Sequence, residues 1–150
     1  TIRALKRSYS FCFKEKQGYK PIMKAKIINK DFFIRKNNTR LHIKAFDVTH
    51  GLIESTAYVM DKIAYISDCN KVPIKNLKYL KNLNYLILDC LKINKHPSHF
   101  NLDEALKLID LTKPKKAILT NLHTDLDYFK LKKELPKNVI PAYDGLSFKY

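Results

Sequence analysis

Tyr85-Leu86-Ile87-Leu88-Asp89, then Cys90-Leu91-Lys92-Ile93-Asn94-Lys95-His96-Pro97-Ser98-His99-Phe100, then Asn101-Leu102-Asp103-Glu104-Ala105, is the stretch that decides the fold class. A short apolar run closed by a carboxylate reads as a buried strand. Asn101 with Glu104 three positions later is the start signature of a helix, because each side chain can satisfy a backbone N–H at the other's end. That helix carries Leu102, Ala105, Leu106, Leu108 and Ile109 on one face, and Pro114 stops it. The unit then recurs. Lys116–Thr120 is a second short strand and Leu126–Leu135 a second helix. Its acids Asp125 and Asp127 lie near the start, where the helix dipole favours them. Pro136 ends it. Val139–Tyr143 and Leu146–Lys149 close the chain as strands around Asp144-Gly145.

Upstream of this stretch the sequence turns to strands. Ala25–Asn29, Asp31–Ile34 and Leu41–Thr49 carry the apolar and β-branched content of strands, with Lys36-Asn37-Asn38-Thr39 as a turn between two of them. Thr56–Met60 and Ile63–Ser67 form a hairpin around Asp61-Lys62. After Asp68, Pro73 suits the first turn of a helix in which Ile74, Leu77, Leu80 and Leu83 recur. The segment through Tyr19 is basic and aromatic without a clear period, and Gly18-Tyr19-Lys20-Pro21 reads as a turn. Short strands alternating with helices need those helices packed on them. The expected class is therefore α/β or α+β, a mixed sheet with helices on one face, over residues 1–150 as a single domain.

Bulk properties narrow the setting. At 45% hydrophobic the chain of 150 residues can build a core. It contains no apolar run of about 18 residues, so no membrane span is expected. Thr1–Lys6 has no apolar signal core, and the missing Met is how a chain beginning inside a longer protein would read. The net charge of +15 suits nucleic acid, phosphorylated substrates or an anionic surface. The enrichment in Lys, Ile and Asn, with no Trp and three Gly, is also what an AT-rich coding bias gives. Lys24, Lys26, Lys30, Lys62, Lys71, Lys92 and Lys133 form no single block, so charge alone does not favour a nucleic-acid role. Cys12, Cys69 and Cys90 are odd in number and lack a CxxC, which argues against a disulfide framework and for a reducing, cytoplasmic compartment.

The candidate chemistry lies at strand ends. His50 follows Leu41–Thr49, Asp68 follows Ile63–Ser67, and Asp89 ends Tyr85–Asp89. His96 and His99 stand in the next loop, and Asn121 and His123 follow Lys116–Thr120. Sites in layered α/β sheets form at the carboxyl ends of strands, and imidazoles with carboxylates there are what a hydrolytic metal centre needs. Each residue alone is ordinary: Asp68 could cap a helix, Asp89 could bond nearby backbone, and His42 on an alternating strand reads as structural.

In combination the residues carry a resemblance. Thr49-His50-Gly51, Tyr65-Ile66-Ser67-Asp68, Leu88-Asp89-Cys90-Leu91, His96-Pro97-Ser98-His99-Phe100, Thr120-Asn121-Leu122-His123-Thr124-Asp125 and Ala142-Tyr143-Asp144-Gly145-Leu146 stand in an order that resembles metallo-β-lactamase-fold hydrolases similar to PhnP. These are cyclic phosphodiesterase-like enzymes related to the RNase Z branch. The resemblance implies an αβ/βα sandwich of which this chain is the C-terminal half. It also implies that His50 binds the first metal, Asp68 bridges two metals, His123 binds the second, and His99 is a non-ligand that protonates the leaving group or touches phosphate. Asp89, His96 and Asn121 would support them from behind. Many relatives have His where Asn121 stands.

The family signature His-x-His-x-Asp-His is absent from these 150 residues. The resemblance therefore implies two divalent metals, zinc or manganese, in an intact domain and weak or no metal binding by this chain alone. A small phosphorylated substrate is expected. Self-association through an exposed core face is also expected. The alternatives are an RNase Z-like nuclease and a truncated, non-catalytic chain, so whether the chain is itself an enzyme stays open here.

Overall fold

In the computed structural model, which describes residues 1–149, seven strands form one sheet in the order of the chain. They are β1 (Asp31–Lys36), β2 (Thr39–His50), β3 (Ile53–Met60), β4 (Ile63–Ile66), β5 (Tyr85–Asp89), β6 (Lys116–Thr120) and β7 (Val139–Pro141). β1 to β4 are an antiparallel meander; β4 to β7 are parallel. β2 is separated from β4 by two reversals. It therefore points the same way as β4, β5, β6 and β7, and all five carboxyl ends lie along one edge of the sheet.

The parallel strands are joined by a 3₁₀ segment (Ile74–Leu80) and by the helices α3 (Leu102–Thr112) and α4 (Tyr128–Glu134). Because strand order follows chain order, right-handed crossovers place all three on the same face. The core confirms this. Leu86, Leu88, Ala64, Ile66 and Leu119 from the sheet share one cluster with Leu80, Ala105, Leu108, Ile109 and Leu131. The opposite face is only partly covered: the C-terminal run lays Phe148 on Tyr85, with ring centroids 4.3 Å apart, while Tyr65 stays 39% exposed.

α3 starts where its capping box places it. Asn101 Oδ1 accepts from the Glu104 N–H (2.8 Å), and Glu104 accepts from the Asn101 N–H (3.2 Å). It ends at Thr112, with Lys113 in the left-handed conformation just before Pro114. α4 is shorter than the expected Leu126–Leu135. Asp127 turns its carboxylate onto the Lys130 N–H (2.8 Å) and so caps the helix from outside.

Four expectations change. Ile74, Leu77 and Leu80 recur at intervals of three, which is the 3₁₀ repeat, and the segment adopts it rather than α-helix. Ala25–Asn29 forms no strand. Only the Ala45 N–H bond to the Lys30 carbonyl (2.7 Å) extends the ladder past β1, and the adjacent Ile27 and Ile28 are both exposed instead of alternating. Leu146–Lys149 also joins no ladder: Gly145 (φ +90°) turns the chain away from β7 and across Tyr85, whose hydroxyl donates to the Lys149 carbonyl (3.2 Å). The aperiodic start holds two short helices, α1 (Ile2–Ser8) and α2 (Ser10–Phe13), and its turn falls two residues early, over Lys16–Tyr19 with Gln17-Gly18 at its centre. Among the described residues, no helix is long and apolar enough to cross a membrane.

Leu88 is fully buried between sheet and helices, whereas Ile74 is 85% exposed. Leu88→Ala should cost about 2–5 kcal/mol, and Ile74→Ala no more than about 0.5 kcal/mol, read from urea-unfolding midpoints.

Candidate metal centre

The shared polarity of β2, β4, β5 and β6 brings the sequence candidates to one edge. His50 is the last residue of β2, and Asp68 lies two residues past β4. Asp89 ends β5, His99 sits in the loop after it, and Asn121 directly follows β6. From His50, Asp68 and His99, one ligand atom each lies within 4.8 Å of the others.

Buried polar contacts fix how these groups present themselves. The His50 Nδ1–H donates to the Ser98 carbonyl (2.8 Å). A carbonyl can only accept, so Nδ1 holds the proton and Nε2 is left with its lone pair. His99 is held likewise, its Nδ1–H donating to Asp89 Oδ2 at 2.8 Å. An imidazole braced on one nitrogen by a carbonyl or carboxylate is the arrangement that orients a metal-binding or proton-transferring histidine.

Asp89 is fully buried and still satisfied. Its Oδ2 also accepts from the Cys69 N–H (3.0 Å), and Oδ1 accepts from Asn121 Nδ2 (2.9 Å). One carboxylate thus ties together the turn carrying Asp68, the loop carrying His99 and the residue that follows β6. Asp68 and Asn121 both have left-handed backbones (φ +49° and +64°), a region that Asp and Asn enter more readily than most residues.

The loop bearing the histidines is pinched at its base, where the Leu91 N–H donates to the Phe100 carbonyl (2.9 Å) and the Leu102 N–H to the Lys92 carbonyl (3.0 Å). Residues not flagged by the sequence clamp it to β2. Asn70 accepts from the Gly51 N–H (3.1 Å) and donates to the Pro97 carbonyl (3.0 Å). Gly51 combines φ +62° with a close approach, since a Cβ there would lie 3.0 Å from Ser98 Cβ. Nothing local distinguishes Asn70 or Ser98 from an ordinary loop residue, and the Gly after His50 was the one available signal.

The remaining candidates stand apart. His96 Nδ1 accepts from the Ser98 N–H (3.4 Å), and its ring lies 5.2 Å from that of His99, so it braces the loop. His123 does not join the His50–Asp68–His99 group; its Nδ1–H donates to Asp125 Oδ1 (3.0 Å) at the surface. His42 bonds Asp31 (3.1 Å), far from this edge. Cys69 and Cys90 flank Asp89 in space. Burial pushes both thiols up to about 12, a backbone hydrogen bond from Lys71 opposes this at Cys69, and the Asp89 carboxylate adds to the push at each. Both are held as neutral thiols at neutral pH, and neither belongs to the His50–Asp68–His99 group.

The His50 imidazole and the Asp68 carboxylate are donors that fit zinc or a similar divalent ion, and His99 stands within reach beside them. Asp68 is exposed while its backbone is pinned by Ser55, whose hydroxyl donates to the Asp68 carbonyl (2.7 Å).

A family model described as "Beta-lactamase superfamily domain" matches residues 1–121. Among curated proteins, an octanoyltransferase of Porphyromonas gingivalis is 26% identical over 109 residues, which is 71% of this chain and 22% of that protein. A solved diphosphatase from the PhnP family is similar in structure, with a TM-score of 0.86 at 24% identity, over 100% of this chain and 55% of that one. The metallo-β-lactamase fold protein YhfI from Bacillus subtilis is similar with a TM-score of 0.68 at 18% identity, over 85% and 56%. Human tRNase Z, short form, is similar with a TM-score of 0.57 at 19% identity, over 78% and 46%. The chain spans about half the length of these solved structures and about a fifth of the octanoyltransferase. The shared fold is the metallo-β-lactamase fold, with a mixed seven-stranded sheet and helices on it.

Asp89→Asn keeps the shape but puts an amide donor among three donors. It should lower stability by about 1–3 kcal/mol and release the His99 ring, seen as a loss of the downfield Nδ1–H resonance in proton NMR. In the folded wild-type chain, Cys69 and Cys90 should not react with Ellman's reagent at pH 8, and both should react once the protein is unfolded.

Proposed function

Because the chain belongs to the beta-lactamase superfamily, we propose that it carries one side of a metal-dependent hydrolytic centre acting on phosphodiesters or related phosphoryl bonds. The observation that carries this reading is the convergence of His50, Asp68 and His99 within 4.8 Å at the carboxyl edge of the sheet.

In this reading His50, through Nε2, and Asp68 are ligands. His123 is the ligand offered from the loop after β6. Asp125 on its Nδ1 leaves Nε2 free, as the Ser98 carbonyl does for His50. Zinc or manganese suits imidazole and carboxylate ligands. Held there, a divalent metal supplies Lewis acidity to the phosphoryl group and to its water.

His99 does the proton work. The Asp89 carboxylate holds the Nδ1–H and so orients the ring with Nε2 turned outward, from where it can deliver a proton to the departing oxygen. The His99 side chain is 14% exposed, which limits competition from bulk water. His50 packs edge-on against it, with ring centroids 4.6 Å apart, and so keeps the donor beside the ligand. The net charge of +15 would attract an anionic substrate to the protein. Three buried, free thiols suit a reducing compartment such as the cytoplasm.

Metal content and bis-p-nitrophenyl phosphate hydrolysis, measured together on the native protein, test the assignment. His50→Ala and Asp68→Ala should lose bound metal and turnover alike. His99→Ala should keep the metal and lower kcat by about 100-fold or more. Wild-type turnover in either ligand variant would sink the site, and loss of metal in His99→Ala would make His99 a ligand.

A further inference from the structure

The first thirty residues carry nine basic side chains and one acid, Glu15, so more than half of the net charge of +15 sits on a fifth of the chain. There the Gln17-Gly18 turn is closed by reciprocal backbone hydrogen bonds between Lys16 and Tyr19 (3.2 and 3.0 Å). Against α2 it frames a cleft of about 340 Å3, lined by Phe11, Lys14, Lys16, Gln17, Tyr19 and Lys20. Tyr19 is 80% exposed and Phe11 65%.

Two flat rings left in water among three lysines restrict the ligand. A purely apolar partner would strand the ammonium groups away from water. A double helix hides its bases and could satisfy only the charges. A single strand offers both unpaired base faces and a row of phosphates. We propose that this cleft binds a single-stranded polynucleotide, with bases stacked on Tyr19 and Phe11 and phosphates on Lys14, Lys16 and Lys20.

The path of the chain gives the cleft a place relative to the metal centre. β1 is antiparallel to β2, and the Lys30 carbonyl accepts from the Ala45 N–H, so the segment leading out of the cleft enters β1 from the His50 end of β2. Binding in the cleft stands independently of the hydrolytic reading. Delivery of a phosphodiester to His50, Asp68 and His99 rests on that reading.

Fluorescence anisotropy with labelled RNA and DNA strands of about 12 nucleotides, and the matching duplex, tests the binding step alone. Both single strands should bind more tightly than the duplex, and a preference for RNA or for DNA names the polynucleotide. The logarithm of the binding constant should fall with log salt at a slope of about −2, the value for three phosphate contacts on a single strand. Tyr19→Ala and Phe11→Ala should each weaken binding about tenfold, while Tyr19→Phe keeps it. Lys16→Ala should reduce the slope by about 0.7. The pair Lys132→Ala and Lys133→Ala on α4 should change neither. No binding at low salt, tighter binding of the duplex, or binding that follows the α4 lysines and ignores Tyr19 would overturn the proposal. So would a Tyr19→Ala variant that loses dimerisation in sedimentation but binds the strands unchanged, because the cleft would then serve a second copy of the chain. Phosphodiester hydrolysis assayed in parallel separates failure of the cleft from failure of the metal centre.

Discussion

The fully buried carboxylate of Asp89 is the interaction on which the site edge of this molecule depends. A carboxylate taken out of water without donors is several kcal/mol unfavourable, and the fold meets that demand with donors from three separate segments: the Cys69 N–H, the His99 Nδ1–H and the Asn121 amide. Meeting it fixes three things together. The backbone turns sharply at Asp68, the His99 ring is oriented with Nε2 free, and the Asn121 amide after β6 is tied to the same carboxylate. Stability at this end of the sheet and geometry of the candidate centre are therefore one property.

The second constraint is directional. The chain reverses on entering β3 and again on leaving it, so β4 runs parallel to β2, and every later strand is parallel to β4. Had β2 and β4 been separated by one reversal rather than two, His50 would lie at the opposite end of the sheet from Asp68 and His99. The helices all cross on one face, so the edge where the strands end is left to loops. Those loops are stiffened by backbone bonds at the base of the 92–101 segment and by the Asn70 bridge from Gly51 to Pro97. A loop so clamped can hold two imidazoles at fixed separation, which an unclamped one of the same composition could not.

Much of the fold was legible in local chemistry. The Asn101–Glu104 box and the prolines at 114 and 136 mark helix limits through their own backbone bonding, and the short apolar runs at 63–66, 85–89 and 116–120 are strands whose helix-facing side chains are buried. The misreadings share a cause. Ala25–Asn29 and Leu146–Lys149 have strand composition, yet a strand needs a partner, and none of their neighbours is placed to pair. Ile74–Leu80 shows the period of three openly, but a period of three and one of 3.6 diverge little over seven residues. The helix before β7 is shortened because Asp127 and its first-turn N–H settle the start, against a hydrophobic pattern that runs from Leu126.

For the site, the sequence by itself determined the chemical inventory and its placement at strand ends: His50, Asp68, Asp89, His99, Asn121 and His123. The family resemblance in those same motifs was also legible before any coordinates. Only the tertiary structure decided which of them meet. It gathers His50, Asp68 and His99, turns His123 to Asp125, and makes Asp89 the shared acceptor. Apart from His123 and Asp125, which are two positions apart, the hydrogen bonds that assemble the site join residues 10 to 48 positions apart, and a hydrogen bond depends on distance and angle in space, which strand direction and buried-charge compensation set and which no spacing along the chain records.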